Sequence, residues 1–458
     1  MRITKNSSGY DYTTKIKGAY DIGAEELKNK ILNSENTEEL YEVKGKKYYI
    51  SKNMTLDDIP TDLKSGDAIL FERGGLWRIL WKKGIELPCG VIMGAYGVGD
   101  KPKFYGSAKN YAFNNLWEKI GDNLYKIFLH GGNPGNMVFD NCASLGVKKW
   151  NLEDVRENYD FYYEGETEDL YFYYEGDIEK DFNSIEIGQR GDLITMNSGC
   201  VVDNLCVKYT GSHGIVAVKA AENIAITNNE IGYIGGSMQF GTTRFGNGVE
   251  LKLGSINSKV KNNYVYECYD AGLTFQTWRS ANVDSHYYDV EFSENLIEKC
   301  TYGIEFFTTT KEDSGLYSDY KNITMNSNII RFSGYEWSFM QRPDPWMTSH
   351  IRGGQWAYVK DCENFRITDN IFDVSRSCMI FWWWHDEEKG YLHPEKHNGL
   401  IVENNSYYQY RTADKRCITF HKNVPVYATN EEEFDKAIRI FDLNPKNVVW
   451  LSEDKGDI

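Results

Sequence analysis

The sequence predicts an all-β chain: a single-stranded, right-handed parallel β-helix, a solenoid carrying inserted β-hairpins and a short C-terminal capping helix. Three observations lead there. An Asn-bearing corner recurs through the second half, a Gly-led apolar strand follows it, and no other repeat signature accompanies them. The corner reads Val202-Asp203-Asn204-Leu205, Ile226-Thr227-Asn228-Asn229, Val260-Lys261-Asn262-Asn263 and Phe292-Ser293-Glu294-Asn295. It continues as Met325-Asn326-Ser327-Asn328, Ile367-Thr368-Asp369-Asn370 and Val402-Glu403-Asn404-Asn405. Counted on the second polar residue, the spacings are 25, 34, 32, 33, 42 and 35 residues, a period that marks a solenoid. Asn tolerates the left-handed backbone that a corner needs, and stacked Asn side chains hydrogen-bond to one another along a pile of strands. Leucine-rich patterns and the Trp-Asp or Gly-His marks of propellers are missing.

The following strand recurs as Gly214-Ile215-Val216-Ala217-Val218, Gly248-Val249-Glu250-Leu251-Lys252, Gly272-Leu273-Thr274-Phe275-Gln276 and Gly303-Ile304-Glu305-Phe306-Phe307, then Cys378-Met379-Ile380-Phe381-Trp382. A strand alternates faces every residue. The outward positions are therefore expected to be Val216 and Val218, Glu250 and Lys252, Thr274 and Gln276, Glu305 and Phe307, and finally Ile380 and Trp382.

The earlier half reads differently. Gly66 to Gly75 and Ile92 to Gly97 look like first coils, whereas about 107–190 breaks the rhythm with Tyr-rich strands at Tyr159 to Tyr163 and Asp169 to Tyr174. Helical apolar spacing at Phe434, Ala437, Ile438 and Phe441 predicts a cap, because an open solenoid end needs a cover. The expectation is one β-helix domain over 1–458. Residues 1–45 form an N-terminal segment or cap, 46–106 the first coils, 107–190 an inserted hairpin region, 191–425 the regular coils and 426–458 the C-terminal cap.

Composition narrows the partners. Over 458 residues the formal net charge is -16, which repels phosphate backbones and anionic bilayers, so neither nucleic acid nor membrane is expected. Aromatic residues reach 15%, with 33 Tyr and 12 Trp, and flat rings stack on the apolar faces of sugars. Nine cysteines cannot all pair. Cys200, Cys206, Cys268, Cys300 and Cys378 lie in apolar runs, where a reduced thiol acts as a small hydrophobe. No Cys-x-x-Cys spacing occurs, so neither a metal nor another cofactor is expected. The start, Met1-Arg2-Ile3-Thr4-Lys5, lacks a secretory signal's apolar stretch. A cytoplasmic location is expected, with secretion after loss of a signal peptide as the alternative. Oligomeric state is left open.

Glu250 and Glu305 hold the same outward position two coils apart, so their backbones should lie about 9 to 10 Å apart. Inverting glycosidases hold their carboxyls about 6.5 to 9.5 Å apart, and leaning side chains would also reach the shorter retaining separation. Asp270, just before Gly272, either reaches the same area or forms a turn. Lys252, Gln276, Trp278 and Trp382 are expected nearby as substrate-binding residues. The interruption Gly334 to Trp346, with two prolines and two Trp, reads as a pocket wall in which Arg342 and Asp344 bind hydroxyls or pin the loop. At Trp382-Trp383-Trp384-His385, alternation turns at least one ring outward; His385 either faces solvent or joins the site.

These phrases together resemble a family of bacterial right-handed parallel β-helix proteins within the pectin-lyase-like superfold. The resembling segments are Gly246-Asn247-Gly248-Val249-Glu250, Tyr269-Asp270-Ala271-Gly272-Leu273-Thr274, Tyr302-Gly303-Ile304-Glu305-Phe306-Phe307 and Gln341-Arg342-Pro343-Asp344-Pro345. With the Gly97-Val98-Gly99-Asp100-Lys101-Pro102 turn, the resemblance covers roughly residues 60–425. It implies a carbohydrate-active protein of glycoside-hydrolase type, with acids recurring at Glu250, Asp270 and Glu305. The Trp run at 382–384 departs from it.

The expected activity is therefore hydrolysis of a neutral oligosaccharide or a plant or host glycan, exo-acting because the loops close the groove. One glutamate protonates the leaving oxygen while the other activates water or attacks the sugar. The aromatic surroundings of Glu305 favour it as acid, and Lys252 should keep Glu250 ionised. The alternatives are a polysaccharide lyase or epimerase on a uronate polymer with Lys252 as base, and a non-catalytic carbohydrate-binding β-helix. Sugar, linkage and stereochemistry are left open.

Overall fold

The computed structural model describes residues 16–81, 84–277, 283–308, 318–342, 348–353, 359–382, 399–410, 416–420, 432–433 and 444–451. They form a parallel β-helix. Each coil of the regular region contributes one strand to each of three parallel sheets. Sheet A takes Val201–Asp203, Ala225–Thr227, Ser255–Lys261, Ser285–Ser293, Ser318–Asn326, Val359–Thr368 and Leu400–Glu403 in turn. Sheet B takes Cys206–Thr210, Glu230–Ile234, Tyr264–Cys268, Leu296–Glu298, Ile329–Arg331, Ile371–Asp373 and Ser406–Tyr410. Sheet C takes Ile215–Ala217, Val249–Lys252, Ala271–Thr277, Tyr302–Thr308, Ser349–Gly353, Cys378–Trp382 and Arg416–Phe420.

Inside the coils, like stacks on like. Val249, Leu273, Ile304, Ile351 and Ile380 follow one another up sheet C, each fully buried. Burying each such side chain contributes roughly 1.5–3 kcal/mol. Phe275 and Phe306 stack with centroids 5.8 Å apart. Cys200, Cys206, Cys268, Cys300 and Cys378 are all buried.

The corner between sheets A and B divides its work between two residues. The first polar residue adopts the left-handed backbone: φ is 55° at Asn228, 53° at Asn262, 51° at Glu294, 54° at Ser327, 56° at Asp369 and 58° at Asn404. The next residue supplies the ladder. Asn229, Asn263, Asn295, Asn328 and Asn370 each pass a side-chain amide hydrogen bond to the next Asn, ending at Asn405, at 2.9–3.0 Å. Every one is buried. The expectation that one Asn does both is corrected: a turning residue faces solvent, whereas a ladder residue must point inward. The first corner slips by one residue, with Asn204 turning at φ 65° and Leu205 taking the ladder place.

Ahead of these coils, Ala68–Glu72 and Ile92–Tyr96 join sheet A, Leu76–Arg78 and Lys103–Tyr105 join sheet B, and Ile85–Leu87 joins sheet C. The chain leaves the coil after Lys103–Tyr105 and rejoins it at Ile194–Met196, which pairs in register with Ile85–Leu87. Between them lie antiparallel pairs, including Asp160–Glu164 with Asp169–Tyr173, around their own core of Phe139, Phe161, Leu170 and Phe172.

The N-terminal segment is placed differently from an end cap. Helix α1 (Ala24–Leu32) lies along the flank of sheet B, with Ala24 and Ile31 against Tyr264, Leu296 and Ile329. Helix α2 (Thr37–Leu40) anchors through Thr37, whose hydroxyl donates to Asp203 at 2.7 Å. An apolar stripe on the outer face of sheet B attracts the segment sideways. The expected helix at 430–441 lies outside the described residues apart from 432–433.

The outward reading of the last quoted strand is also corrected. Ile380 pairs with Ile351 and sits in the core, and Phe381 takes the outward position level with Arg352. Trp382 pairs with Gly353, which is level with Phe306 rather than Glu305; its side chain lies outside the described part. Without a Gly at its start, Cys378–Trp382 has its phase set by Cys378, which is level with Tyr302.

Candidate active site

Outward positions on sheet C read, coil by coil, Val216, Glu250, Thr274, Glu305, Arg352 and Phe381. Such positions on an open sheet face water, yet Glu250 is 1% and Glu305 4% exposed. Outgrowths from the corner between sheets B and C account for much of the cover. They are the 107–190 excursion, a hairpin of Ser237–Phe240 with Thr243–Phe245, and the loop from Gly334 to Arg342.

Glu250 has three polar neighbours. Gln276 Nε2 donates to Oε1 at 2.9 Å, Asn247 Nδ2 donates to Oε2 at 3.3 Å, and His213 Nδ1 lies 3.0 Å from Oε2. Asn247 is itself oriented, because its Oδ1 accepts the Ala271 amide at 2.9 Å. His213 Nδ1 also meets the Asn247 backbone N–H at 3.0 Å. The two contacts are alternatives: a protonated Nδ1 donates to Glu250, whereas a bare one accepts the amide. Burial pushes the Glu250 carboxyl up, but the His213 charge and hydrogen bond, aided by Lys252 and Gln276, outweigh it and hold the group down at about 2. Lys252 itself reaches Asp192, at 3.7 Å.

Glu305 is driven the opposite way. Its Oε1 lies 3.1 Å from Arg352 NH1, its one ion pair among the described residues. Burial raises its carboxyl to about 8; Arg352 and Arg342 oppose that, while Asp270 and Glu250 add to it. Asp270 thus belongs to the same cluster. Its Oδ1 is 3.4 Å from Arg342 NH1, which also donates to the Tyr269 carbonyl at 2.6 Å. The Tyr302 ring lies under both guanidiniums, 5.4 Å from Arg342 and 4.2 Å from Arg352.

Arg342 arrives on a fastened loop. Gln341 Oε1 accepts the Lys148 backbone N–H and an Arg244 N–H, both at 3.1 Å. The Trp337 amide donates to Glu267 Oε2 at 3.0 Å. Burial lifts the Glu267 carboxyl to about 7 against the pull of Lys299.

Of the sequence-named residues, Glu250, Asp270, Glu305, Gln276 and Arg342 come together, and Lys252 lies beside them through its effect on Glu250. Trp278, Asp344 and His385 lie outside the described residues, as does the Trp382 side chain. His213 and Arg352 are additions. His213 sits in a Gly211-Ser212-His213-Gly214 turn that resembles any other turn. Arg352 does carry a signal, since Ile351-Arg352-Gly353 alternates as Ile304-Glu305-Phe306 does. Among the described residues, no group of three His, Cys, Asp or Glu is disposed to hold a metal ion.

The sequence matches no protein-family model and no curated protein. Among solved structures it is similar to XylC in complex with xylose, at 13% identity over 82% of this chain and 71% of that one, with a TM-score of 0.41. A glycoside hydrolase is similar at 8% identity over 89% and 96%, with a TM-score of 0.41. So is the GH136 lacto-N-biosidase from Eubacterium ramulus, at 11% identity over 90% and 69%, with a TM-score of 0.34. Likenesses of this size carry no substrate or mechanism across.

Proposed function

We propose that this chain is a glycoside hydrolase, acting on a neutral oligosaccharide at a chain end, with Glu305 as the acid and Glu250 as its anionic partner. One observation carries the reading. Two glutamates on one walled face are driven to opposite protonation states, about 8 for Glu305 and about 2 for Glu250. Near neutral pH, Glu305 then holds a proton for the leaving oxygen, while Glu250 presents negative charge to a sugar carbon gaining positive character. Environments that push two carboxyls apart in this way allot acid and base roles. Arg342 and Asp270 supply a donor and an acceptor for sugar hydroxyls, and the outgrowths limit the length of chain admitted.

The test is release of reducing sugar from neutral oligosaccharides and pectic polymers, with ultraviolet absorbance followed in parallel. Wild type should release sugar without new absorbance, and Glu250→Gln and Glu305→Gln should each lower kcat by about 10²–10⁴-fold. Growth of unsaturated-uronate absorbance, or activity that survives both substitutions, would instead establish a lyase or a different set of residues.

A further inference from the structure

Toward the first coils, the outward column of sheet C opens to water. Glu250 pairs in register with Val216, Val216 with Thr195, and Thr195 with Glu86. Glu250 and Val216 are buried, at 1% and 2% exposed, whereas Thr195 is half-buried and Glu86 exposed. Three strand spacings, about 14 Å, separate the backbones of Glu250 and Glu86. The buried glutamate thus lies at the inner end of a ramp that reaches solvent.

Aromatic side chains follow this ramp along the corner between sheets B and C. The His213 ring, beside Glu250, meets Phe245 with centroids 5.1 Å apart. The Arg190 guanidinium lies over Phe245, 5.6 Å from its centre. Next comes Trp81, in the turn between Leu76–Arg78 and Ile85–Leu87. A Cβ added to Gly132 would collide with its indole and press on Arg190, so both side chains flank that one glycine. Trp81 meets the His130 ring at 6.4 Å, and His130 stacks on Phe128 at 6.1 Å with the planes 26° apart. Gln189 fixes this turn by donating to the His130 carbonyl at 2.9 Å. The series starts buried and ends in water: Phe128 is 63% exposed and the His130 side chain 84%.

A single exposed Phe is ordinary. Here it ends a row of rings that begins against a buried acid, and polar groups accompany the row. Arg190 is exposed, His130 lies 3.5 Å from Glu168, and Lys252 reaches Asp192 at 3.7 Å. Flat rings interleaved with planar donors and carboxylates match a pyranose, which has an apolar C–H face and a rim of hydroxyls. A protein partner would need a wider apolar patch, with fewer charges at its centre.

Resting on the hydrolase reading above, we infer that Phe245, Arg190, Trp81, His130 and Phe128 form a binding track for the remainder of the same neutral oligosaccharide. The chain end lies at Glu250 and Glu305. The following sugar units run down the ramp and stack on Trp81 and Phe128.

The test is binding to an immobilised array of neutral glycans that pairs each disaccharide with the hexasaccharide of the same linkage. Calorimetry then gives Kd for the glycans retained. Every protein carries Glu305→Gln, so that no glycan is consumed, and sugar release by wild type is assayed alongside. The hexasaccharide should bind more tightly than its disaccharide. Phe128→Ala and Trp81→Ala should each weaken the hexasaccharide about three- to tenfold and leave the disaccharide unchanged, while Phe128→Trp keeps both. Phe128 stands in solvent, so its removal spares the core and decides the matter even where Trp81→Ala fails to fold. Hexasaccharide binding that survives Phe128→Ala, or falls equally for both lengths, overturns the inference; sugar release by wild type then leaves the hydrolase reading standing. No glycan retained also overturns it. The expected chain-length effect without any sugar release keeps the track and overturns the hydrolase reading instead.

Discussion

The opposed titration of Glu250 and Glu305 has consequences for activity and for stability. If Glu305 is the acid and Glu250 its anionic partner, as proposed, kcat/KM should hold up to an alkaline limb near pH 8, the level to which burial raises Glu305. Because the folded carboxyl of Glu305 is raised above its unfolded value of about 4.3, its contribution to stability is complete below that value and is lost as pH climbs through about 8. Glu305→Gln should therefore flatten the fall of Tm between pH 5 and 8.5, read by calorimetry. Glu250 has the opposite sign: its folded carboxyl is depressed to about 2, so its contribution is present above the unfolded value and is lost as pH falls through 2. His213→Asn removes the charge that opposes burial at Glu250. It should move the acid limb of kcat/KM upward, since burial then acts on Glu250 with less opposition. An unmoved acid side of the profile would mean that His213 does not set the charge of Glu250.

A single corner shows which residues support the elements. Asn295 Nδ2 donates to the Val260 carbonyl at 2.8 Å and to Asn328 Oδ1 at 2.9 Å, while its Oδ1 accepts from Asn263 N at 2.9 Å and from Asn263 Nδ2 at 3.0 Å. Asn295→Ala strands several buried polar groups and should cost about 2–4 kcal/mol in urea unfolding. Ser327 turns the next corner at φ 54° and faces outward. Ser327→Gly relieves left-handed strain of roughly 1–2 kcal/mol and loses a comparable amount to unfolded-chain entropy. It should be neutral within about 1 kcal/mol by the same measurement. The corners themselves were legible because each repeats the same polar pair before an apolar strand. The division of labour within a pair was not, since both residues are polar and neighbours in sequence; only their opposite directions in the coil separate them.

Across the molecule, the outgrowths from one corner wall one face of sheet C and are tied to each other. Gln341 joins the loop bearing Arg342 to Lys148 of the 107–190 excursion and to Arg244 of the short hairpin. Gln341→Ala should lower kcat/KM by about tenfold or more through misplaced Arg342, while the Tm of the coils changes little. A fall in Tm matching the fall in activity would make Gln341 a structural residue only.

From the order of residues come the solenoid, the inward and outward faces of most strands, and the shared position of Glu250 and Glu305, because each follows from a period of two or from a repeat of one coil. Those patterns are local and survive without knowledge of distant neighbours. The burial of that outward face, the His213 contact and the Arg352 pair depend on coils and loops far apart in sequence meeting over one sheet. So does the phase of Cys378–Trp382, which neighbouring strands set through their backbone hydrogen bonds. Charge states are decided at the same level: desolvation and the nearest partners act through space, and folding brings those partners to the two glutamates.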